Sequence, residues 1–595
     1  MQQEIRQCQN CKNQFVIEPD DFAFYEKIKV PPPTWCFDCR LIRRMVFRNE
    51  RTLYKRKCDA SGHSEEIISL FSPDNPQKVY DHKAWWGDSW DGMTSGRDYD
   101  FQKPFFSQLQ TLWREVPDIA ILNINPVNSD YCSITEGNKN CYLVIGGDFN
   151  ENTNYSAFVF NCKECADCYW DTKCEWNYET IDCINCARLQ YSRYCEECYN
   201  SSFLFNCKNC HDCFGCVNLF NKAYCIFNVQ YSKEKYQQRL KELNIGSYKA
   251  VQSFRKEFTE HIKKYPRKFA RILRAVNSIG DNLEETKNCY KVFDVFGGAE
   301  DCKYLWLAYS NVKNCVDCDH FGLKSELAYE VSTIYPGSKS MFSRFIFSCQ
   351  NVQYSYNCHN SSNLFGCVGL RNKQYCILNK QYTKEEYEAL VPKIIEHMNR
   401  VPYKDHGGRI YKYGEFFPAE ISPFSYNETV AQELMPLNPV KAYQQGVKWK
   451  NATEKKYVPT LQSSELPDNI LEVKDSITSE IISCEHHGEC SHQCATAFKI
   501  IPSELQFYRA MDVPLPHLCP NCRHYERLAQ RNPLKLWQRN CQCAGKTSEN
   551  KIYQNTAKHK DHSEDQPCPN QFQTSYAPDR PEIVYCEECY IREVV

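Results

Sequence analysis

The cysteines of the central chain keep a fixed phase. Between residues 130 and 228, fifteen cysteines fall on positions divisible by three, and many of them are nine residues apart. Random placement would spread them over all three phases. A single phase held over this whole stretch indicates a coil with a fixed rise, in which each cysteine returns to an equivalent position. We therefore predict a cysteine-rich β-solenoid over residues 130–231, with tight asparagine-rich corners.

The same pattern recurs further along the chain. An offset of 151 residues carries Cys207 onto Cys358 and Cys216 onto Cys367. This repeat predicts a second β-solenoid over residues 283–382. The fold class that follows is a multidomain, mainly β protein built on a duplicated, β-helix-like solenoid with helical appendages.

Three roles are open for the central cysteines. Four of them, with two-residue gaps between Cys207 and Cys216, approach the spacing of a bacterial ferredoxin. In the second copy, Ser361 and Leu364 replace two of the four. Leucine cannot ligate a metal, whereas a buried cysteine packs as a small apolar residue that leucine can replace. Interior packing is therefore favoured, and extra zinc sites or an iron–sulfur or dithiol redox function are the alternatives.

Cysteine pairs at the two ends of the chain have the spacing of zinc ligands. An offset of 483 carries Cys11 onto Cys494, and 25 residues separate each of them from the next pair. Four thiolates in two pairs can close tetrahedrally on Zn²⁺ and supply folding free energy to a small module. The predicted ligands are Cys8, Cys11, Cys36 and Cys39 in the first module and Cys490, Cys494, Cys519 and Cys522 in the second.

A third zinc site is predicted at the C-terminus, where the ligands would be Cys541, Cys543, Cys586 and Cys589. The corresponding N-terminal unit keeps only Cys58 and has Asp81 and Ala84 at the later positions, which predicts a metal-free unit. We expect Cys568 to lie outside the sites, with His492 as an alternative ligand in the second module. The expected cofactor is therefore Zn²⁺, as three structural ions.

The first module resembles a known class of small metal-binding domains. Its sequence C-x2-C, F-x-I, F-Y, V-P-x-P and C-x2-C-R spans Cys8 to Arg40. This pattern is similar to the treble-clef or zinc-ribbon modules of bacterial "probable zinc-ribbon" proteins. The whole arrangement resembles large cysteine-rich proteins of unassigned function from candidate-phylum bacteria. The resemblance implies zinc binding and implies no reaction.

Basic segments follow the zinc modules and the first solenoid. Guanidinium groups bind phosphates, so these segments predict nucleic-acid contacts, RNA being favoured. A solvated helix face is the alternative interpretation. The candidate residues are Arg40, Arg43, Arg44, Arg48, Arg51 and Arg56; Arg255, Lys256, Lys263, Lys264 and Arg267; and Arg523, Arg527 and Arg531.

The predicted domain organisation follows from these patterns. Residues 232–282 carry an apolar stripe that runs to Leu273 beside many basic residues, which predicts basic helices. A capping box at Thr383 opens a helix in which Pro392 predicts a break. In order, the segments are 1–57 (zinc module), 58–129 (metal-free unit and packing helix), 130–231 (solenoid), 232–282 (basic helices), 283–382 (solenoid), 383–400 (helix), 401–450 (aromatic wrapping segment), 451–482 (linker), 483–540 (zinc module) and 541–595 (zinc module).

Composition and motifs narrow the function. The chain has 595 residues, 38 cysteines and a net charge of −2, so neither wholesale disorder nor general coating of polyanions is indicated. We find no export signal, membrane span or enzyme motif, and we expect a cytoplasmic protein without a small-molecule substrate. The leading hypothesis is a non-catalytic zinc-binding protein that binds nucleic acid. The alternatives are a protein-interaction scaffold and, third, an iron–sulfur or dithiol redox protein.

Overall fold

Strands outnumber helices in the computed structural model, which describes residues 2–309, 311–322, 326–451, 458–555 and 557–595. The helices pack around the strands. Among the residues that the structure describes, no helix has both the length and the apolar character needed to cross a bilayer. The helices are α1 (Pro19–Lys27), α2 (Phe37–Met45), α3 (His82–Trp86), α4 (Phe105–Glu115), α5 (Lys233–Leu243), α6 (Tyr248–Ile262), α7 (Lys384–Arg400), α8 (Val430–Leu434), α9 (Pro439–Gln444), α10 (Pro502–Met511), α11 (Pro520–Leu528) and α12 (Glu587–Val594).

The strands form short hairpins at the ends of the chain and two long parallel ladders in its middle. The antiparallel hairpins are Glu4–Gln7 with Gln14–Ile17, Tyr54–Lys57 with Glu66–Ser69, Tyr403–Lys404 with Ile410–Tyr411, Ile482–Ser483 with Ala497–Phe498, and Trp537–Asn540 with Gln571–Thr574. Two parallel pairs join distant segments: Val79–Tyr80 with Asp118–Ile119, and Arg267–Lys268 with Val584–Tyr585.

The first ladder covers residues 123–230, and its parallel pairing advances by twelve residues. Val127 pairs with Lys139, Lys139 with Glu151, and the same step continues to the pair between His211 and Ala223. Within each step a bridging residue occurs every third position, so one coil has four short sides. The named strands of this ladder are Asn123–Ile124, Thr135–Glu136, Ala187–Gln190, Tyr199–Ser202, His211–Phe214, Ala223–Ile226 and the closing antiparallel Val229–Gln230.

Every third residue of the first ladder turns a corner in the left-handed conformation. Asn140, Asn152 and Asn161 have φ of 51°, 49° and 54°, and the same conformation occurs at Trp170 and Tyr191. Asparagine tolerates this region well, because its short side chain can bond to the local backbone. Stacked asparagines also bond to one another: Asn140 donates to Asn152 across one coil at 3.1 Å. Large aromatic residues at other corners show that the fold, rather than the residue, imposes the conformation.

The cysteines in phase point into the first ladder and are buried there. Cys174 and Cys198 each lie at 0% exposure. Most of these thiols lie within donor distance of two carbonyls, one two residues earlier and one nine residues later, as Cys198 does of Glu196 and Cys207, both at 3.4 Å. A neutral thiol is a weak donor that needs such acceptors. These contacts match the prediction of interior packing.

The second ladder covers residues 272–381 and has a less regular step. In the part of the ladder that runs from Thr286 to Ile334, parallel partners are thirteen residues apart. In the pairs that begin at Ser332, they are twelve residues apart. Its strands are Ile272–Leu273, Ile279–Glu284, Thr286–Lys287, Tyr290–Phe296, Ala299–Glu300, Trp306–Tyr309, Val312–Lys313, Cys315–Gly322, Ala328–Met341, Arg344–Gln353, Tyr356–His359, Ser362–Phe365, Gln374–Ile377 and Lys380–Gln381.

Three predicted boundaries differ from the structure. The basic helices end at Ile262, because Pro266 stops the helical pattern, and Leu273 lies in a strand of the second ladder. Helix α7 continues through Pro392 to Arg400. Residues 458–482 are not an open linker: Leu466, Ile470, Val473 and Ile477 pack in one core with residues of α6 and α10, and Ile470 is 1% exposed. Residues 452–457 of the predicted linker lie outside the described residues.

One buried carboxyl of the first ladder gives a test by pH. Asp171 is fully buried, accepts a hydrogen bond from the backbone N–H of Cys183 at 3.0 Å, and has its pKa raised well above the usual range by burial. The folded chain therefore binds this proton more tightly than the unfolded chain, and wild-type stability falls as the pH rises above the unfolded pKa. Asn138 makes the same contact to its neighbour Asn150, which shows that an amide fits such a position.

We expect Asp171→Asn to stabilise the protein by about 1–3 kcal/mol near pH 7 and by less near pH 4. Thermal unfolding at the two pH values measures this difference. The exposed Asp130→Asn is the matched control and should change little. A variant that is less stable than wild type at neutral pH would contradict the assignment.

Candidate metal centres

The first module holds four cysteines at the junction of a hairpin and a helix. Cys8 and Cys11 lie in the hairpin turn, Cys36 is the N-cap of α2, and Cys39 lies in the first turn of that helix. The four sulfurs lie within 4.8 Å of one another, so they can hold a metal ion. The N-terminus of a helix stabilises negative charge, which favours thiolates at these last two positions.

The sulfur separations fit tetrahedral coordination. Bond lengths of about 2.3 Å to Zn²⁺ place two sulfurs of a tetrahedron about 3.8 Å apart. Cys11 and Cys36 are 3.6 Å apart, Cys484 and Cys522 are 3.8 Å apart, and Cys568 is 3.9 Å from its partner Cys586. In each group the neighbouring thiols hold the pKa of one cysteine (Cys8, Cys494 or Cys586) below its usual range, because they donate hydrogen bonds to its thiolate.

The second module uses a cysteine that sequence reasoning missed. The four-cysteine group consists of Cys484, Cys494, Cys519 and Cys522. Strand register explains the choice, since Arg6 pairs with Phe15 and Ile482 pairs with Phe498, which makes Cys484 the equivalent of Cys8. The predicted ligand Cys490 lies outside this group, in an insertion of the hairpin turn, with its sulfur 3.7 Å from that of Cys522.

The third module also differs from the prediction by one ligand. Its four-cysteine group is Cys541, Cys568, Cys586 and Cys589, so Cys568 joins the group and Cys543 does not. Cys586 and Cys589 occupy the start of α12 as Cys36 and Cys39 do at α2. Cys568 lies in a polar insert, so its position in the sequence does not suggest a ligand. In the structure its backbone N–H donates to the carbonyl of Cys543 at 2.8 Å, which brings the insert back to the module.

Cys490 and Cys543 belong to two further groups of potential ligands. The first consists of His486, Cys490, His492 and Cys522, and the second of Cys543, His559, His562 and Cys589. Each group shares one cysteine with the neighbouring four-cysteine group. Sequence reasoning had considered His492 only as a substitute ligand and did not consider the pair His559 and His562.

The unit at residues 58–129 keeps the geometry of the third module with other side chains. Asp81 is the N-cap of α3, where the third module has Cys586, and its carboxylate accepts from the thiol of Cys58 at 3.2 Å. His63 lies 2.8 Å from the same carboxylate. Three tryptophans pack together in this unit: Trp85 is fully buried and contacts Trp86 and Trp90.

The arginines of α2 are buried in ion pairs with the second ladder. Arg40, Arg43 and Arg44 are at most 2% exposed. Arg40 pairs with Asp317 at 2.7 Å, Arg44 with Asp319, and Arg43 with Glu330 and Glu415. Arg48 is also buried and pairs with Glu50, while Arg56 pairs with Asp59 and the partly buried Arg51 lies 3.9 Å from Glu433. A buried guanidinium that already holds a carboxylate has no face left for a phosphate.

The C-terminal arginines repeat the same contact on the first ladder. Arg523 and Arg527 pair with Asp167 of the first ladder at 2.9 and 2.7 Å, while Arg531 pairs with Asp294 of the second ladder at 2.6 Å. The guanidinium of Arg523 also lies over the ring of Tyr155, as that of Arg40 lies over Tyr304. The nucleic-acid prediction therefore placed these arginines on the surface, whereas the structure uses them to dock the metal modules onto the ladders.

The remaining basic candidates lie on or just after α6. Lys256 and Lys264 are exposed. Lys263 pairs with Glu260, Arg255 pairs with Glu179, and Arg267 lies over the ring of Phe205 with 3.9 Å from its guanidinium carbon to the ring centre. Of this set, Lys256 and Lys264 are the two residues that offer uncommitted charge to solvent.

No protein-family model, no curated protein and no solved structure matches the chain. The chemistry of these centres therefore has to be argued from their own geometry.

Proposed function

We propose that the protein is a zinc-stabilised, non-catalytic nucleic-acid-binding protein whose contact surface is the outer face of α5 and α6. The observation that carries the proposal is the distribution of uncommitted charge. Lys233, Lys235, Lys249, Lys256 and Lys264 are all exposed along this helix pair. Exposed cations on one surface attract the phosphate backbone and release its counterions.

The surroundings of α6 add support for single-stranded RNA. A cleft of about 590 Å³ is lined by Tyr248, Arg255, Lys256 and His517, together with acidic residues such as Glu485. Tyr248 and His517 stack with their ring centres 3.5 Å apart. Aromatic faces beside cations are a common platform for unstacked bases.

Zinc is the proposed metal because three groups supply four cysteines each at tetrahedral separations. Cysteine thiolates in closed sets of four select Zn²⁺ or iron–sulfur clusters, and such zinc sites are structural. Fixed side-chain donors at every corner leave no open position for a substrate. We take three such ions to hold the terminal modules, in agreement with the resemblance to treble-clef and zinc-ribbon domains.

We further infer that each ladder is a β-solenoid and that the pair arose by duplication. The continuous parallel pairing, with a constant step of twelve in the first ladder, and the inward columns of cysteine and aliphatic residues in both ladders support this interpretation. A rigid solenoid pair would carry α5 and α6 on one side and the metal modules against its walls.

The test is charge reversal of three exposed lysines on α6 and at its end. We expect Lys249→Glu, Lys256→Glu and Lys264→Glu together to weaken binding of single-stranded RNA at least about tenfold. They should also reduce the slope of log affinity against log salt by about 2, because each phosphate contact on a single strand contributes about 0.7. Fluorescence anisotropy over a salt series measures both quantities.

The matched control reverses three exposed lysines elsewhere, Lys83, Lys393 and Lys412. This control should bind RNA nearly as wild type does. Wild-type affinity that does not change between low and moderate salt would contradict phosphate binding, and so would equal losses in the two triple variants.

A second candidate function is a protein-interaction scaffold, and one observation favours it. A cleft of about 680 Å³ runs between the first ladder and α10, and its wall contains the column Asn128, Asn140 and Asn152. Regularly spaced amides beside the rings of Tyr142 and Phe507 offer hydrogen-bond partners and apolar contacts to an extended chain. Partner binding at this cleft would survive the charge reversals on α6.

A further inference from the structure

Two hairpin turns carry insertions that are rich in metal ligands. In the first module two residues separate Cys8 from Cys11, whereas nine separate the equivalent Cys484 from Cys494. The extra residues contain His486, Cys490 and His492. The third module likewise replaces the short turn after Lys57 with a long one after Asn540, and this longer turn contains Cys543, His559 and His562.

Each insertion places one cysteine and two histidines against a cysteine of the neighbouring four-cysteine group. In the second module, the sulfur of Cys490 is 3.7 Å from that of Cys522. In the third, Cys543 is 3.6 Å from Nε2 of His559, and Cys589 is 3.5 Å from Nε2 of His562. Zinc bonds of about 2.3 Å to sulfur and about 2.0–2.1 Å to nitrogen put these atoms about 3.6 Å apart in a tetrahedron.

Both modules also place a glutamate four residues after the shared cysteine, on the same face of the helix. Glu526 follows Cys522, and its carboxylate lies 3.9 Å from Nε2 of His486. Glu593 follows Cys589, lies 3.0 Å from Nε2 of His559, and has a fully buried side chain.

Several polar atoms around these ligands have no partner. Oε2 of Glu593 and the Nδ1 atoms of His486 and His492 are buried without a hydrogen-bond partner among the described residues. Buried polar groups are nearly always satisfied, so such atoms point to an absent ligand. The same feature occurs in two modules that differ in the length and sequence of the insertion.

We propose that each of the two C-terminal modules binds a second metal ion, so that each holds a binuclear centre bridged by one thiolate. Cys522 bridges the ions of the second module, and Cys589 bridges those of the third. The inserted ligands complete the second site: His486, Cys490 and His492 in one module, Cys543, His559 and His562 in the other. The mixed sulfur and imidazole set is typical of Zn²⁺.

A bridging thiolate explains why two ligand groups can lie so close together. Two divalent ions in adjacent sites repel each other, and a shared anion between them lowers that repulsion. The N-terminal module lacks both the insertion and the glutamate, having Arg43 four residues after Cys39. The N-terminal module is therefore expected to bind a single ion. The inference rests on the proposed zinc binding of the four-cysteine groups.

The zinc content of the full chain tests the two ideas separately. After purification in reductant with Zn²⁺ and exhaustive dialysis, we expect five zinc ions per chain: three in the four-cysteine groups and two in the added sites. Three ions would overturn the second sites and leave the proposed structural zinc standing. A chain without zinc would overturn both, and four ions would overturn the proposal that both modules are binuclear.

Paired substitutions locate the added ions. His486→Ala with His492→Ala, and His559→Ala with His562→Ala, should each remove one ion, while the fold is retained because the four-cysteine groups are intact. The control in the first insertion is His487→Asn, since His487 is exposed and adjacent to His486; in the second it is the exposed Lys560→Ala. Zinc counts that stay at the wild-type value in the paired variants would contradict the assignment.

X-ray absorption fine structure tests the bridge. We expect metal–metal scattering at short range in the five-zinc protein and its loss when all four histidines are replaced. Five ions without such scattering would overturn the shared thiolate and place the fourth bond of the added ions on Glu526 and Glu593.

Discussion

The double variant Cys519→Ser with Cys522→Ser is expected to unfold the second metal module. These residues are the N-cap and first-turn cysteines of α11, and both belong to the four-cysteine group of that module. Zinc binding contributes about 10–16 kcal/mol to the folding of small structural zinc domains, which is comparable with the whole stability of an ordinary domain. Loss of the ion removes this contribution, which is large enough to unfold the module even though Leu505 and Tyr508 of α10 pack in an apolar core.

The expected result is the loss of the zinc held by the second module together with rapid proteolysis between residues 483 and 540, while the four-cysteine groups of the first and third modules are intact. Limited proteolysis with mass spectrometry and metal analysis measures both. Because Arg523 and Arg527 fix α11 to Asp167, loss of the module should also expose that wall of the first ladder.

Cys168→Ser is the matched control for this prediction. It makes the same chemical change inside the first ladder, where Ser156 and Thr180 occupy the equivalent positions one coil away in each direction. A serine there finds the carbonyl acceptors that the thiol uses. This variant should keep its zinc and its resistance to protease. Equal damage from both changes would contradict the division between terminal ligands and interior cysteines.

The inward phase of the cysteines was predictable, but the size of the coil was not. Every inward position is a multiple of three, and the side chains of those columns are interchangeable: Cys162 follows Asn150 in one column, and Thr180 follows Cys168 in another. The sequence therefore shows which residues point inward, but it does not show how many short sides make up one coil. Intervals of nine residues between cysteines span three of the four sides, while the pairing advances by twelve.

The candidate metal ligands were predictable where spacing alone decides which cysteines come together. Cys8, Cys11, Cys36 and Cys39 lie in a module without insertions, and all four come together. The choice between Cys484 and Cys490 depends on the pairing of Ile482 with Phe498, which spacing does not reveal. The signal that could have identified Cys484 is the apolar run Ile481-Ile482 that comes just before it, because the strand of the first module likewise ends directly before Cys8.

The basic segments show what charge composition cannot predict. Arg40 and Arg44 meet carboxylates more than 270 residues away along the chain. A local excess of arginine is the same whether the partner is a phosphate in solution or an aspartate on a distant coil. The duplication offered the one sequence signal for these ion pairs. Asp167 and Asp317 occupy similar positions in the two ladders, and Arg527 and Arg44 occupy equivalent positions in the two modules.

The second prediction with a large expected effect concerns stability, and it follows from the buried ion pairs of Arg44 and Arg527. Arg44 pairs with Asp319 and lies 3.6 Å from Asp317, and neither carboxylate is exposed. Removal of one partner from a buried ion pair leaves an uncompensated charge and typically costs about 3–5 kcal/mol. We expect Arg44→Met to lower the free energy of unfolding by that amount, and Arg527→Met to lower it by less, because Asp167 keeps Arg523 as a second buried partner at 2.9 Å.

Chemical denaturation followed by fluorescence measures these losses. Arg239→Met is the control, because Arg239 forms an exposed pair with Glu242 that is worth at most about 1 kcal/mol. The double variant Arg44→Met with Asp319→Asn should recover part of the loss, because it removes the unpaired charge as well as the guanidinium. If Arg44→Met proved no more harmful than Arg239→Met, the arginine would not be the element that docks the metal module, and the basic segment would again be free to meet a phosphate.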